Sequence, residues 1–212
     1  MGDKWTATTV DSMTELAAIV GEPSERAVNK VRHSLEPIHE DWLANSPFCL
    51  IATSAKDGAC DVSPKGDPPG FTTVLDERTI AIPDRPGNRR VDGFRNVLSS
   101  PQVGLLYLLP GRGDTLRING RAQLVRDGSF FDRMVVKGHR PTLALVVEVD
   151  EVFFHCSKAF LRSELWDPES WQPTALPSRS EIAQRENPDL STEALAEYYG
   201  PSYADRLYGS ER

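Results

Sequence analysis

The chain is poor in cysteine and histidine and carries no long apolar run. Its three cysteines, Cys49, Cys60 and Cys156, are odd in number and far apart, and no Cys-x-x-Cys or paired Cys/His spacing occurs. Neither a zinc site nor a disulfide framework is indicated, and Cys49 and Cys156, each within an apolar run, read as small core residues. The four histidines are scattered. His33 and His39 fall on a predicted helix among charges, His139 in a Lys-Gly-His-Arg-Pro loop and His155 at a strand end, so each reads as a surface or capping residue rather than a metal ligand. No apolar stretch approaches a membrane span, and no secretory leader pattern precedes the first predicted helix, which gives a cytoplasmic address as the expectation. Met1-Gly2-Asp3-Lys4-Trp5-Thr6 fits a loose myristoylation pattern, but it lacks a flanking polybasic patch and reads as chance. Cations are also in deficit: a net charge of -7 argues against the spread basic surface that non-specific nucleic-acid binding needs. No catalytic triad and no internal repeat can be recognised.

What is present is ordinary for a water-soluble globular chain. Over 212 residues, 39% are apolar and 26% charged, enough for one large domain, or a domain with extensions, to build its own core. Residues 1–45 read as helical and as packing against a sheet. Ser12-Met-Thr-Glu15 has the pattern of a capping box, with Leu16, Ile19 and Val20 on one face of the helix it opens. A second helix starts at Pro23-Ser24, with Val28, Val31, Leu35, Ile38 and Trp42 at helical spacing. Pro37 lies inside that pattern and marks either a kink or a break.

From Ser46 the pattern turns to strands. Phe48–Thr53 is followed by the Lys56-Asp57-Gly58 turn, a return strand at Ala59–Val62 and a stiff loop at Ser63–Gly70. Phe71–Leu75 and Arg78–Ile82 flank Asp76-Glu77, and Gln102–Leu109 is strand-like. Thr115–Val125 alternates most cleanly, with Leu116, Ile118, Gly120, Ala122 and Leu124 on one face and Arg117, Asn119, Arg121 and Gln123 on the other. A short helix at 128–137 leads to a strand at Leu143–Phe154. Six or seven strands in hairpin-length steps predict an antiparallel barrel, mainly β, with peripheral helices. From Pro168 the composition shifts to proline, serine and charge. Thr192–Tyr199 and Tyr203–Tyr208 read as short helices in an extension that wraps the barrel or a partner subunit.

One stretch stands out against the acidic background. Ile80-Ala-Ile-Pro-Asp-Arg-Pro-Gly-Asn-Arg-Arg90 reads as a strand ending in a Pro/Gly loop, with a helix beginning near Asn88 and running through Val91, Phe94, Val97 and Leu98. A helix start leaves backbone N–H groups unpaired and carries partial positive charge. Arg85, Arg89 and Arg90 around such an end make a seat for a phosphate, the alternative being a solvated basic surface.

Taken in order, Cys60-Asp-Val-Ser-Pro-Lys-Gly-Asp67, Ile82–Arg90 and a helix ending at Ser99-Ser-Pro-Gln-Val-Gly104 resemble the pyridoxamine 5'-phosphate oxidase-like FMN-binding split-barrel proteins over roughly residues 46–167. Phe154-His-Cys-Ser-Lys-Ala-Phe-Leu-Arg-Ser-Glu-Leu-Trp166 is similar to the closing segment of one uncharacterised branch of that family. The resemblance implies a six- to seven-stranded antiparallel split barrel at 46–167, flanked by a helical segment at 1–45 and a partly helical extension at 168–212. It implies FMN held at the interface of a homodimer, with a small molecule as substrate.

By the same resemblance, Arg89 and Arg90 take the place of the family's phosphate-binding basic pair. Arg85 and Asn88 lie on the same loop, Pro83 and Asp84 at the strand end lining the flavin, and Ser63 and Lys65 on the neighbouring strand end. Lys158, Arg162, Ser163 and Trp166 then reach the flavin from the second subunit, and Arg117 and Asn119 are secondary candidates on a strand face. Arginine suits phosphate through its forked donors, and a lysine near the ring's polar edge suits the negative charge of a reduced flavin. The sequence departs from the vitamin B6 enzymes at Asp61-Val-Ser-Pro-Lys65, where an acid replaces a leading arginine, and its tail has no match to their substrate clamp. The implied function is thus FMN-dependent oxidoreduction of an unidentified small molecule. The alternative is a barrel that stores or senses flavin or haem without turnover, with His155 as the haem ligand to suspect.

Overall fold

Alternating burial along extended segments builds one sheet. In the computed structural model, which describes residues 6–208, the strands are β1 (Phe48–Ser54), β2 (Cys60–Gly66), β3 (Thr73–Asp76), β4 (Thr79–Pro83), β5 (Gln102–Leu108), β6 (Thr115–Val125) and β7 (Ala144–His155). They form a seven-stranded sheet in the order β2-β1-β5-β6-β7-β4-β3, with every neighbouring pair antiparallel. The two margins, β2 and β3, are not joined, so the sheet is a split barrel rather than a closed one. The Met1-to-Trp5 part of the myristoylation-type pattern lies outside the described residues.

Pleating sends alternate residues to opposite faces. On β7, Leu145, Val147, Val149 and Val152 enter the main core with Tyr107, Leu116 and Ile118. Ala144 and Val146 join Ala81, Phe131 and Met134 in a smaller cluster. The main core is capped by the helix α3 (Pro37–Asn45), which buries Trp42 and Leu43. Tyr107 is fully buried, and its hydroxyl lies 3.1 Å from Thr72 Oγ1, which satisfies a polar group that would otherwise be costly to bury.

The β6–β7 ladder shifts register between Asn119 and Gly120. A Cβ at Gly120 would fall 2.1 Å from the Glu148 carbonyl oxygen, so only glycine permits this approach of the two backbones.

Several local expectations are corrected. The helical spacing from Ser24 to Trp42 breaks: a four-residue helix at Glu25–Val28 ends well before α3, and Arg32 instead bridges to Val152. Pro37 occupies the first turn of α3, where its missing N–H has no partner to lose. The stiff loop expected from Ser63 is strand through Gly66, because β2 is a sheet margin, where Pro64 is tolerated. The helix expected from Asn88 is α4 (Asp92–Ser99). The segment at 128–137 holds only a 3₁₀ turn at Phe131–Met134.

Cys156 is exposed rather than in the core, whereas Cys49 is buried and its thiol is pushed up to about 12 by that burial. His39 is buried rather than at the surface, and it takes the capping role, its Nδ1 accepting the Glu36 N–H at the start of α3. The chain divides into two units, Met1–Val31 and Arg32–Arg212. The first holds α1 (Met13–Val20), N-capped by Ser12, and α2 (Glu25–Val28), N-capped by Ser24, and neither helix has a buried residue. In the second, α5 (Lys158–Ser163), α6 (Arg179–Glu186) and α7 (Thr192–Tyr198) follow β7.

Candidate functional site

The end of β4, the loop after it and the first turn of α4 come together against the strand pair β1/β2 at one margin of the sheet. The close fit depends on Gly93, where a Cβ would lie 3.0 Å from Asp61 Oδ2 and 3.5 Å from Thr53 Oγ1. Asn96 on the same helix donates to Thr53 Oγ1 at 3.0 Å. The loop is shaped by its own residues. Asn88 Oδ1 accepts the Arg90 N–H at 3.0 Å, an Asx-type turn that competes with helix. Arg89 sits at φ 60°, a left-handed conformation incompatible with continuing a helix upstream. These two features explain why α4 begins at Asp92 rather than at Asn88.

Two adjoining clefts open here. One of about 100 Å³ is lined by Ser63, Lys65, Asp84, Arg89, Arg90 and Phe94, among others. Its neighbour, of about 390 Å³, includes Asp61, Pro83, Arg85 and Asn88. The structure therefore brings Ser63, Lys65, Pro83, Asp84, Arg85, Asn88, Arg89 and Arg90 to one place. The cations there sit among carboxylates. Lys65 Nζ donates to Asp84 Oδ1 at 3.1 Å and lies 4.8 Å from the Phe94 ring centroid. Ser63 Oγ donates to Asp61 Oδ2 at 2.8 Å. Arg90 Nε meets Asp92 Oδ2 at 2.5 Å. That hydrogen bond holds the Asp92 carboxyl below the ordinary carboxylate range and raises the Arg90 guanidinium in turn.

Arg85 has a different task. Its Nε pairs with Asp67 Oδ2 at 2.5 Å, and its terminal nitrogens donate to the Met134 carbonyl at 2.6 Å and the His139 carbonyl at 3.4 Å. With the Asp67 side chain 1% exposed, this is a buried anchor for the loop. Tyr208 donates a further hydrogen bond to Asp67. No local pattern in the sequence signals Asp67, Asp92 or Tyr208. Phe94 and Val97, which furnish apolar lining, do follow from the helical spacing.

The remaining candidates lie elsewhere. On β6, Arg117 Nε donates to Asn119 Oδ1 at 3.0 Å, and Asn119 Nδ2 donates to Glu151 Oε2 at 3.0 Å. Neither residue lines the two clefts. Lys158, Arg162 and Ser163 are on α5, and Trp166 donates from Nε1 to the Arg112 carbonyl at 2.6 Å while stacking on Phe160. Within one chain these four line neither cleft. His155 ends β7 opposite Thr115 and beside Phe153, and it also lines neither cleft. Among the described residues no cluster of three His, Cys, Asp or Glu is placed to hold a metal, and no helix is long and apolar enough to cross a membrane.

The grouping fits a phosphate-bearing cofactor. Two arginines and an amide side chain ride on one turn at the start of α4, and an apolar wall of Phe94, Val97 and Leu145 adjoins them.

Several solved structures are similar to part of this chain. HupZ of Group A Streptococcus is 16% identical over 57% of this chain and 93% of its own, with a TM-score of 0.45. An FMN-binding protein from Syntrophomonas wolfei is 11% identical over 53% and 79%, with a TM-score of 0.42. HutZ, the heme storage protein from Vibrio cholerae, is 16% identical over 56% and 93%, with a TM-score of 0.41. No curated protein matches the chain. Residues 35–156 match the profile of the pyridoxamine 5'-phosphate oxidase family, and with more than half of its length so matched the chain belongs to that family.

Proposed function

We propose that the chain is an FMN-dependent oxidoreductase acting on a small organic molecule in the cytoplasm, working as a homodimer with the flavin at its interface. The observation that supports this most directly is the convergence of Arg89, Arg90, Asn88, Ser63 and Lys65 on adjoining clefts beside the first turn of α4. Residues 46–167 then form the flavin-binding domain, with 1–45 and 168–212 as flanking segments.

In this reading Arg89 and Arg90 hold the phosphate, helped by the N–H groups at the start of α4. Arg90 shares its guanidinium between that phosphate and Asp92. Ser63 supplies a hydroxyl, and Lys65, kept in place by Asp84, supplies the positive charge that favours an anionic ring edge. Phe94, Val97 and Leu145 exclude water from the apolar side. FMN, when bound, supplies the two-electron chemistry that no side chain here offers. Lys158, Arg162, Ser163 and Trp166 complete the pocket from a second copy of the chain.

The first test is the absorbance spectrum of the purified protein, with identification of the chromophore released on heating and an FMN titration. Alanine at Arg89 or Arg90 is expected to weaken FMN binding by about ten- to a hundredfold each, the worth of charge-assisted hydrogen bonds. A protein that neither carries nor binds FMN, or variants with undiminished affinity, would refute the assignment. A Soret band would move the reading to haem and make His155 the next residue to replace. A tightly bound flavin that NADPH, NADH and a reduced deazaflavin all fail to reduce would favour a binding protein without turnover.

A further inference from the structure

On the far side of the Pro86–Arg89 loop lies another cleft, of about 570 Å³, whose other wall comes from the C-terminal part of the chain. Arg89, Arg179, Arg206, Tyr198, Tyr199 and Tyr203 line it, and no carboxylate does. In a chain of net charge -7 a concave surface with three guanidinium groups and no acid is a selective feature, because random placement would mix the signs.

Arg179 and Arg206 are held in position rather than left to swing in solvent. Both terminal nitrogens of Arg179 reach Glu186 Oε2, which is not among the lining residues, at 3.2 Å, and its guanidinium lies 5.2 Å from the Tyr199 ring centroid. Arg206 donates to the Tyr198 carbonyl and stacks over Tyr198 and Tyr203 at 4.6 and 5.6 Å. The three tyrosine rings pack edge-on or tilted, 4.9 to 5.6 Å apart. Even so, Tyr198 and Tyr203 remain 42% and 44% exposed. Rigid aromatic faces beside fixed cations form a preorganised site, which lowers the ordering cost of binding.

We propose that this cleft binds a purine nucleotide. The forked donors of arginine match phosphate oxygens, tyrosine faces stack on a flat heterocycle, and the volume lies within the range of small-ligand pockets. The aromatic wall lies beyond the 35–156 segment that the family profile covers, while the Pro86–Arg89 wall lies within it, so the cleft joins this chain's C-terminal segment to the shared barrel. It touches the flavin reading through Asn88 and Arg89, which line the clefts on both sides of the loop.

The test uses the full chain, titrated calorimetrically with adenosine 2',5'-bisphosphate and with adenosine, in the presence of saturating FMN. Saturable one-to-one binding of the bisphosphate is expected, with adenosine far weaker. Arg179→Gln and Tyr203→Leu should each weaken the bisphosphate about tenfold, as the loss of one charge-assisted bond or one stacking face does, while leaving FMN affinity within twofold. Melting curves identify any variant that fails to fold, and the other variant then decides. Arg90 lines the flavin clefts but not this one. An Arg90→Ala chain that loses FMN yet keeps the bisphosphate therefore supports two separate sites, whatever the flavin does there. Absence of saturable binding, full affinity in the folded variants, or complete displacement of the bisphosphate by FMN would overturn the proposal. If NADPH binds more tightly than the bisphosphate, the nucleotide is the docking end of a dinucleotide; equal affinity makes it a free nucleotide.

Discussion

His39 is an ionisable ring that the core holds neutral. It is 3% exposed, its Nδ1 accepts the Glu36 N–H at 3.0 Å, and its ring lies 5.4 Å from that of Phe154. Burial lowers its pKa below the ordinary 6.5, opposed by the nearby Glu36 carboxylate and reinforced by Arg32. As pH falls, the unfolded chain therefore takes up this proton before the folded chain does, so the unfolded state gains. The His39 contribution is fully present above about pH 6.5 and declines as the pH drops below it. Urea midpoints measured from pH 8 to pH 5 should show that decline. In a His39→Asn chain, destabilised by about 2 kcal/mol through lost packing, this part of the slope should be absent. An unchanged slope would mean that other groups set it.

At the scale of elements, β6 and β7 form the longest ladder, and its bend depends on Gly120. Gly120→Ala drives a methyl group into the Glu148 carbonyl, and the expected loss is about 3 kcal/mol in chemical denaturation. A loss under 1 kcal/mol would show that the ladder can shift to accept it. Elements whose local signals agree were legible in the sequence. The alternation of Leu116, Ile118 and Ala122 placed β6, and Lys56-Asp57-Gly58 placed the β1–β2 turn, because pleat and turn chemistry act over a few residues.

Where neighbours in space decide, the local pattern misled. Val28 to Trp42 keep helical spacing, yet the Arg32–Val152 bridge and Pro37 divide them. Asn88 looked like the first residue of a helix until its side chain capped a turn instead. The candidate site divided in the same way. Arg89 and Arg90 were conspicuous as a basic pair on an acidic background, and Ser63 and Lys65 came with the family resemblance. Asp84 came with the resemblance too, but as a lining residue rather than as the partner of Lys65, and the carboxylates Asp61 and Asp92 acquire meaning only when β2 and α4 are side by side.

Distant parts of the Arg32–Arg212 unit are tied together by a contact that no window of sequence contains. Asp67 at the end of β2, Arg85 after β4 and Tyr208 meet in one buried knot. Tyr208 also stacks on His139, 6.0 Å between ring centroids. Removing one member of a buried ion pair strands the other, so Asp67→Ala should cost about 3 kcal/mol. Tyr208→Phe, which deletes one hydrogen bond, should cost about 1 kcal/mol. In the Asp67→Ala chain tryptic cleavage at Arg206 should also speed up under native conditions. Digestion at the wild-type rate would show that the tyrosine–arginine cluster, not the knot, holds the C-terminal segment.

The margins of the sheet carry one more consequence. β2 includes Pro64, and β3 is four residues long with a register shift between Val74 and Asp76. A proline cannot donate to an added strand, and a short, irregular strand offers little template, so neither border invites another chain to extend the sheet. The open barrel thus carries its own guard against fibrillar growth. Two copies of it would have to recognise each other through side chains, where sequence can discriminate, rather than through backbone, where it cannot.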